Sequence, residues 1–263
     1  MKQFTREKRF SILKNFWGYG NPETSKILFI GIEEARDWSN KQLDKSKKDW
    51  SLETLSNREA VDWLIGKMEK RFITSNDWPE NEYEYVPSRT ELMQAYLAWK
   101  LNPDVAHEAA MTKQRYIQDK HFLSTREFQA NIWPIGCRSS GDWNNEDMSQ
   151  WFPLLESKHE YRMAVLDDRV KALRELIDKI ASKDGKPPII FVMGKQDIWN
   201  NKIVWEKVER IFRGMTFSDC TEVPGVRHSD DFTVWLTRHP SRVRWFSESD
   251  AKKIVELINS KRK

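Results

Sequence analysis

The sequence predicts an α/β domain of three layers, with helices on both sides of a mostly parallel central sheet. Three observations carry that expectation. Four short segments are rich in branched and aromatic side chains: ILFI at 27–30, FQANIWPI at 128–135, PIIFVM at 188–193 and FTVWLT at 232–237. The first and third are unbroken apolar runs, the pattern of strands buried on both faces. Segments of helical periodicity separate them, and strands alternating with helices make a sheet that is covered on both sides.

The composition permits a large core. Among 263 residues, 13 Trp and 13 Phe concentrate apolar area in few side chains, although hydrophobic residues are only 39% of the chain. The length fits one domain spanning 1–263, and the stretch around 40–125 reads as a helical insertion within it. Basic and acidic residues number 44 and 40, a net charge of +4. That excludes a basic-tail nucleic-acid binder and still allows one basic face. Two cysteines, Cys137 and Cys220, are too few for a disulfide framework or a cysteine-ligated metal cluster. The opening MKQFTREKRF lacks the apolar run of a signal peptide, and no stretch reaches membrane-spanning length, so a cytoplasmic protein is expected.

Taken in order, Phe4, Phe10, Ile12 and Leu13 recur at loose helical spacing, and FWGYGNP (16–22) leads by turns into the first strand. Gly31 is expected to end that strand, in a glycine turn GIEEA that carries Glu33 and Glu34. A lysine-rich loop with Lys41, Lys45, Lys47 and Lys48 follows, either a solvated face or part of a DNA path. Ala60, Trp63, Leu64, Met68 and Phe72 line one face of a helix. Ser88-Arg89-Thr90-Glu91 is a capping box for another, with Leu92, Ala95, Tyr96 and Trp99 on its apolar face, and a polar helical stretch runs on to about Phe122. After the second strand, residues 161–181 form an amphipathic helix on Val165, Val170, Leu173, Leu176, Ile177 and Ile180, stopped by Gly185 and Pro187. The third strand ends at Gly194 and leads into a helix with Trp199, Ile203, Val204, Val208 and Ile211. The fourth ends in Arg238-His239-Pro240-Ser241, and a last helix spans about 250–258.

Open α/β sheets bind ligands beyond the carboxyl ends of their strands. Two such ends here carry reactive groups. The first strand leads into Glu33 and Glu34; the last leads into His239, flanked by Arg238, Ser241 and Arg242, which suit phosphate. Other chemistries lack their residues. Gly194-Lys195 has neither the upstream glycine nor the Ser/Thr of a phosphate-cradling loop, no His/Cys spacing suits zinc, and no G-x-S-x-G elbow precedes a helix.

These two ends, in this order, resemble the uracil-DNA glycosylase superfamily. In that family the first buried strand ends in a short glycine motif of forms such as GQDPY, GINPG or GEAPG, and the last strand ends in HPS. GIEEA at 31–35 and His239-Pro240-Ser241 resemble those two motifs, GYGNP at 18–22 resembles the approach, and ANIWP at 130–134 resembles the segment that contacts the base. Glu34 stands where the family's first motif carries proline, and the cysteines that hold an iron–sulfur cluster in some members are absent.

The resemblance implies a uracil-DNA glycosylase-like fold and a monofunctional DNA glycosylase, with DNA as partner and neither metal nor organic cofactor. Glu33 falls where the family handles the attacking water, and His239 where it stabilises the departing base. Glu34, Ala35, Asn131 and Trp38 become base-binding candidates, and Arg238, Ser241, Arg242, Arg244 and Trp245 DNA-binding ones, with Trp245 a wedge for the flipped-out base. Each has a plainer alternative: Glu33 as a helix cap, His239 as a structural hydrogen bonder, Asn131 as a loop pin, Trp38 as a loop anchor, Trp245 as core. Ala35 takes the place of the tyrosine that confines strict uracil enzymes to unsubstituted pyrimidine. The implied substrate is therefore a modified or 5-substituted pyrimidine, such as those of hypermodified phage DNA in an antiviral defence. The alternatives are repair of uracil or deaminated bases, a non-catalytic DNA-binding module, and a hydrolase of free nucleosides.

Overall fold

The structure, a computed structural model, describes residues 19–20, 24–33, 89–118, 126–133, 157–182, 187–194, 208–212, 214–239 and 246–261. Within them the branched and aromatic runs become β2 (Ile27–Glu33), β3 (Glu127–Trp133), β4 (Ile189–Met193) and β7 (Val234–Thr237). All three pairings among these four are parallel. The flanks are antiparallel: β1 (Tyr19–Gly20) pairs with β3, and β5 (Phe217–Asp219) and β6 (Arg227–Ser229) form a hairpin whose second strand joins β7. The order is β1-β3-β2-β4-β7-β6-β5. The sheet is thus a parallel centre with antiparallel edges, which corrects the expectation of a mostly parallel one.

Side-chain alternation splits the core in two. Ile27 and Phe29, Ile189, Phe191 and Met193, and Trp235 share one face with α1 (Arg89–Leu101), α2 (Lys113–Gln118) and α4 (Glu248–Lys261). Leu28 and Ile30, Ile190 and Val192, and Val234 and Leu236 share the other with α3 (Lys158–Ser182) and a 3-10 turn at Arg210–Phe212. Period-two alternation of wholly apolar strands requires cover on both faces, and here both are covered. Phe29 and Phe191 stack across β2 and β4 with centroids 5.5 Å apart.

The chain leaves β2 through α1 and α2 on one face to reach β3, then returns through α3 on the other face to reach β4. The four parallel strands therefore lie in the order second, first, third, fourth. In such a sheet the chain's direction reverses between the first and third strands, β2 and β4, and the carboxyl side of that switch point is where ligands lodge.

Three further expectations need correction. The polar stretch after α1 does not continue helically. Asn102 ends it, its side-chain Oδ1 accepting from the Asp104 N–H at 3.1 Å in an Asx turn around Pro103. Phe232 is not in a strand: its φ is 58°, held by Asp231, whose Oδ1 accepts from the Thr233 N–H (3.1 Å) and hydroxyl (2.7 Å). Gly31 does not end the first strand, which continues through Glu33. The helices run longer than foreseen, 158–182 for 161–181 and 248–261 for 250–258. Ser247 and Asp250 explain the second, exchanging bonds of 2.8 and 3.1 Å in a reciprocal cap that sets the start of α4.

Candidate functional site at the carboxyl edge of the sheet

One row of residues crosses all four parallel strands: Asn131, Gly31, Met193 and Thr237. The ladder is closed to its end, because the Gly194 N–H donates to the Thr237 carbonyl at 3.2 Å. Beyond that row β4 and β7 end, while β2 and β3 run on to Glu33 and Trp133. Glu33 is two residues past Gly31, in register with Trp133, and His239 is two residues past Thr237. The two strand ends singled out in the sequence thus emerge on one edge, at one level, with only β4 between them. Neighbouring strands lie about 4.8 Å apart, so the backbones of β2 and β7 stand roughly 10 Å apart there.

Gly31 has a structural reason that its sequence position concealed. A side chain there would collide with the Asn131 Oδ1, which fills the space above the glycine. Asn131 is 7% exposed. Among the described residues nothing hydrogen-bonds its amide, while its backbone carbonyl accepts from Arg169 at 2.7 Å. The amide offers one acceptor and two donors beside the switch point. We expect Gly31→Ala to keep the fold, since only the end of a side chain must move, but to push the amide aside. Misplacing a recognition group in this way should lower turnover by about one to two orders of magnitude. Steady-state assay of the variant, beside Asn131→Ala, checks this; a fully active Gly31→Ala would remove Asn131 from the site.

At the other side of the edge, Arg238 is half-buried and its guanidinium lies over Gly225, filling the space a Cβ would take. Gly225 has φ 76° in the turn between β5 and β6, a conformation in which glycine alone is unstrained. The resemblance makes Arg238 a candidate for a phosphate contact. Gly225→Ala combines an unfavourable backbone with displacement of that guanidinium. The expected result is weaker duplex binding and a salt dependence shallower by about one unit on a log–log plot, the signature of one lost phosphate contact. An unaltered salt slope would assign Arg238 to packing.

The structure thus brings Glu33, Asn131, Arg238 and His239 to one edge. Glu34, Ala35, Trp38, Ser241, Arg242, Arg244 and Trp245 lie outside the described residues, as does the helix expected around 60–72. No protein-family model, no curated protein and no solved structure matches this chain.

Sequence reading missed Arg169. It is fully buried on α3, and its Nε and Nη2 donate to the carbonyls of Ile132 (3.2 Å) and Asn131 (2.7 Å). Burial pulls its guanidinium down to about 10, opposed by Tyr161, so it remains charged at neutral pH. The signal was present in the sequence. Leu166, Arg169, Leu173, Leu176 and Ile180 follow a helical stripe, and an arginine inside an apolar stripe marks a buried polar contact.

Proposed function

We propose that this chain is a DNA glycosylase with a uracil-DNA glycosylase-like fold, hydrolysing the N-glycosidic bond of a base flipped out of DNA. The observation that carries the reading is the register. A carboxylate-bearing end and a histidine-bearing end, some two hundred residues apart in sequence, leave the sheet at one level on either side of its switch point. Support comes also from Asn131, whose side-chain amide stands over Gly31 at this edge and can match the donor and acceptor pattern of a base edge.

The chemistry follows from charge. Breaking the bond builds positive charge on the sugar and negative charge on the leaving base. The Glu33 carboxylate stabilises the first and orients the attacking water; the His239 imidazole stabilises the second. Extrusion of the base costs a few kcal/mol of unstacking. Arg238 at the edge holds a phosphate of the strand from which the base has left. Ala35, which the resemblance sets where strict uracil enzymes carry a tyrosine, has no ring to exclude a substituent on a pyrimidine, so the preferred substrate is a 5-substituted pyrimidine rather than uracil.

The test is release of free base from duplexes carrying uracil, 5-hydroxymethyluracil, 5-hydroxymethylcytosine or a glucosylated 5-hydroxymethyl base, read by mass spectrometry together with cleavage at the abasic site. Free base and an intact abasic strand, fastest from a 5-substituted duplex, are expected. Binding without release from any of them would make the chain a DNA-binding module, and release from free nucleosides alone would make it a nucleoside hydrolase.

A further inference from the structure

The end of β3 is held from behind by a single helix. Arg169 donates to the carbonyls of Asn131 and Ile132. One residue on, the Trp133 indole N–H donates to the Arg162 carbonyl at 3.1 Å, and the Arg162 guanidinium sits 4.7 Å from the centre of the Trp133 ring. Three successive residues at the carboxyl edge are thus fixed by α3. On the outer edge of β3, among the described residues, β1 pairs with Phe128 and Gln129.

The two faces of the sheet have different duties at this point. Arg169 belongs to the α3 side. The Asn131 side chain lies on the opposite side, above Gly31, where α1 and α4 pack. Burying an arginine completely is unfavourable unless its donors are used, and here two of them are spent on consecutive main-chain carbonyls. A leucine in the same stripe would fill the volume. It would withdraw the donors from the Asn131 and Ile132 carbonyls, and a shift of that peptide within the ladder moves the amide off Gly31.

We propose that Arg169 is a positioning residue for base recognition, acting through the Asn131 and Ile132 carbonyls to hold the Asn131 amide in the site. The inference rests on the glycosylase reading, in which Asn131 meets the base. It predicts that the two residues act as one unit, although they lie on opposite faces of the sheet.

The test is a double-mutant cycle on the full-length protein. Wild type, Arg169→Met, Asn131→Ala and the double variant are compared in single-turnover base release. The substrate is whichever of the four duplexes above the wild type processes fastest, held at subsaturating enzyme, and each variant's melting temperature is measured in parallel. Arg169→Met should lower the rate about tenfold in the wild-type background and less than twofold when Asn131 is already alanine, because interacting residues are not additive. Arg169→Lys, which can still donate to one carbonyl, should recover part of the loss. If Arg169→Met does not fold, the cycle is run with Arg169→Lys, with a smaller loss that again vanishes in the Asn131→Ala background. Equal losses in both backgrounds, or no loss, would overturn the proposal while leaving the glycosylase reading intact. A wild-type protein that releases no base from any duplex overturns that reading and this inference with it.

Discussion

Glu33→Gln and His239→Ala will each slow single-turnover base release by about two orders of magnitude or more, the size of general-acid/base and electrostatic contributions. Both variants should fold. Gln has the size of Glu, and residue 33 sits at a strand end where its main chain pairs with Trp133. His239 lies past the last ladder pair of β7 and is half-buried, so its truncation opens no sealed cavity. Their effects should also differ in kind. In the proposed mechanism, glutamine removes the charge that stabilises the sugar and orients water, whereas loss of the imidazole acts on the leaving base. His239→Ala should therefore be milder on a base that is already a good leaving group. Single-turnover rates on two bases of different acidity, with circular dichroism as the control for folding, separate the two roles. An unimpaired variant would remove its residue from the mechanism.

The largest effect on stability is expected from Trp235→Ala. Trp235 is fully buried at the middle of β7, its ring tilted against His228 (5.2 Å) and Phe232 (5.8 Å), and its indole N–H donates to the Phe232 carbonyl at 3.0 Å. Removing a buried tryptophan costs about 3–5 kcal/mol. Domains of this kind hold only about 5–15 kcal/mol in total, so the variant will lose a large share of its stability. Two effects add at this residue. The cavity removes contacts from the core shared by β2, β4 and α4, and the lost hydrogen bond releases the carbonyl of Phe232, a residue already held at φ 58°. Trp235→Phe keeps most of the ring and loses the bond, for about 1 kcal/mol. Denaturant melts of the three proteins check the order; a loss below 1 kcal/mol for alanine would mean that the strand tolerates the void.

The strands were readable because burial on two faces leaves an unmistakable mark. Ile27–Ile30 and Ile189–Met193 have no polar residue to alternate, and both pair in the parallel centre of the sheet. The short edge strands carry no such mark. Phe217–Asp219 and Arg227–Ser229 are three residues each, largely half-exposed or exposed; β6 is placed by pairing with β7, and β5 by pairing with β6, rather than by local composition. The reach of α1 was overestimated because the polar residues after Leu101 are compatible with a helix; the Asx turn at Asn102 is a side-chain decision that periodicity does not report.

At the site the division is similar. His239 and Glu33 were legible as candidates because each belongs to a strand end, and the register brings both ends to the carboxyl edge. Gly31 drew attention for a wrong reason. A glycine after an apolar run reads as a turn, yet here it lies within the strand because Asn131 occupies the space beside it. That contact joins residues a hundred positions apart, and no local pattern encodes it. Arg169 was overlooked because an amphipathic stripe invites attention to its apolar members, while its one charged member held the strand end.

A crystal structure of Glu33→Gln bound to a duplex carrying the best substrate tests the central claim most directly, since the slowed variant preserves the uncleaved complex. The account predicts a base extruded from the stack and lodged at the carboxyl edge of β2, β4 and β7. Its edge should lie within hydrogen-bonding distance of the Asn131 amide and its leaving nitrogen side toward His239. DNA seated elsewhere on the molecule, or an unflipped duplex lying across the edge with residues 33, 131 and 239 untouched, would contradict it.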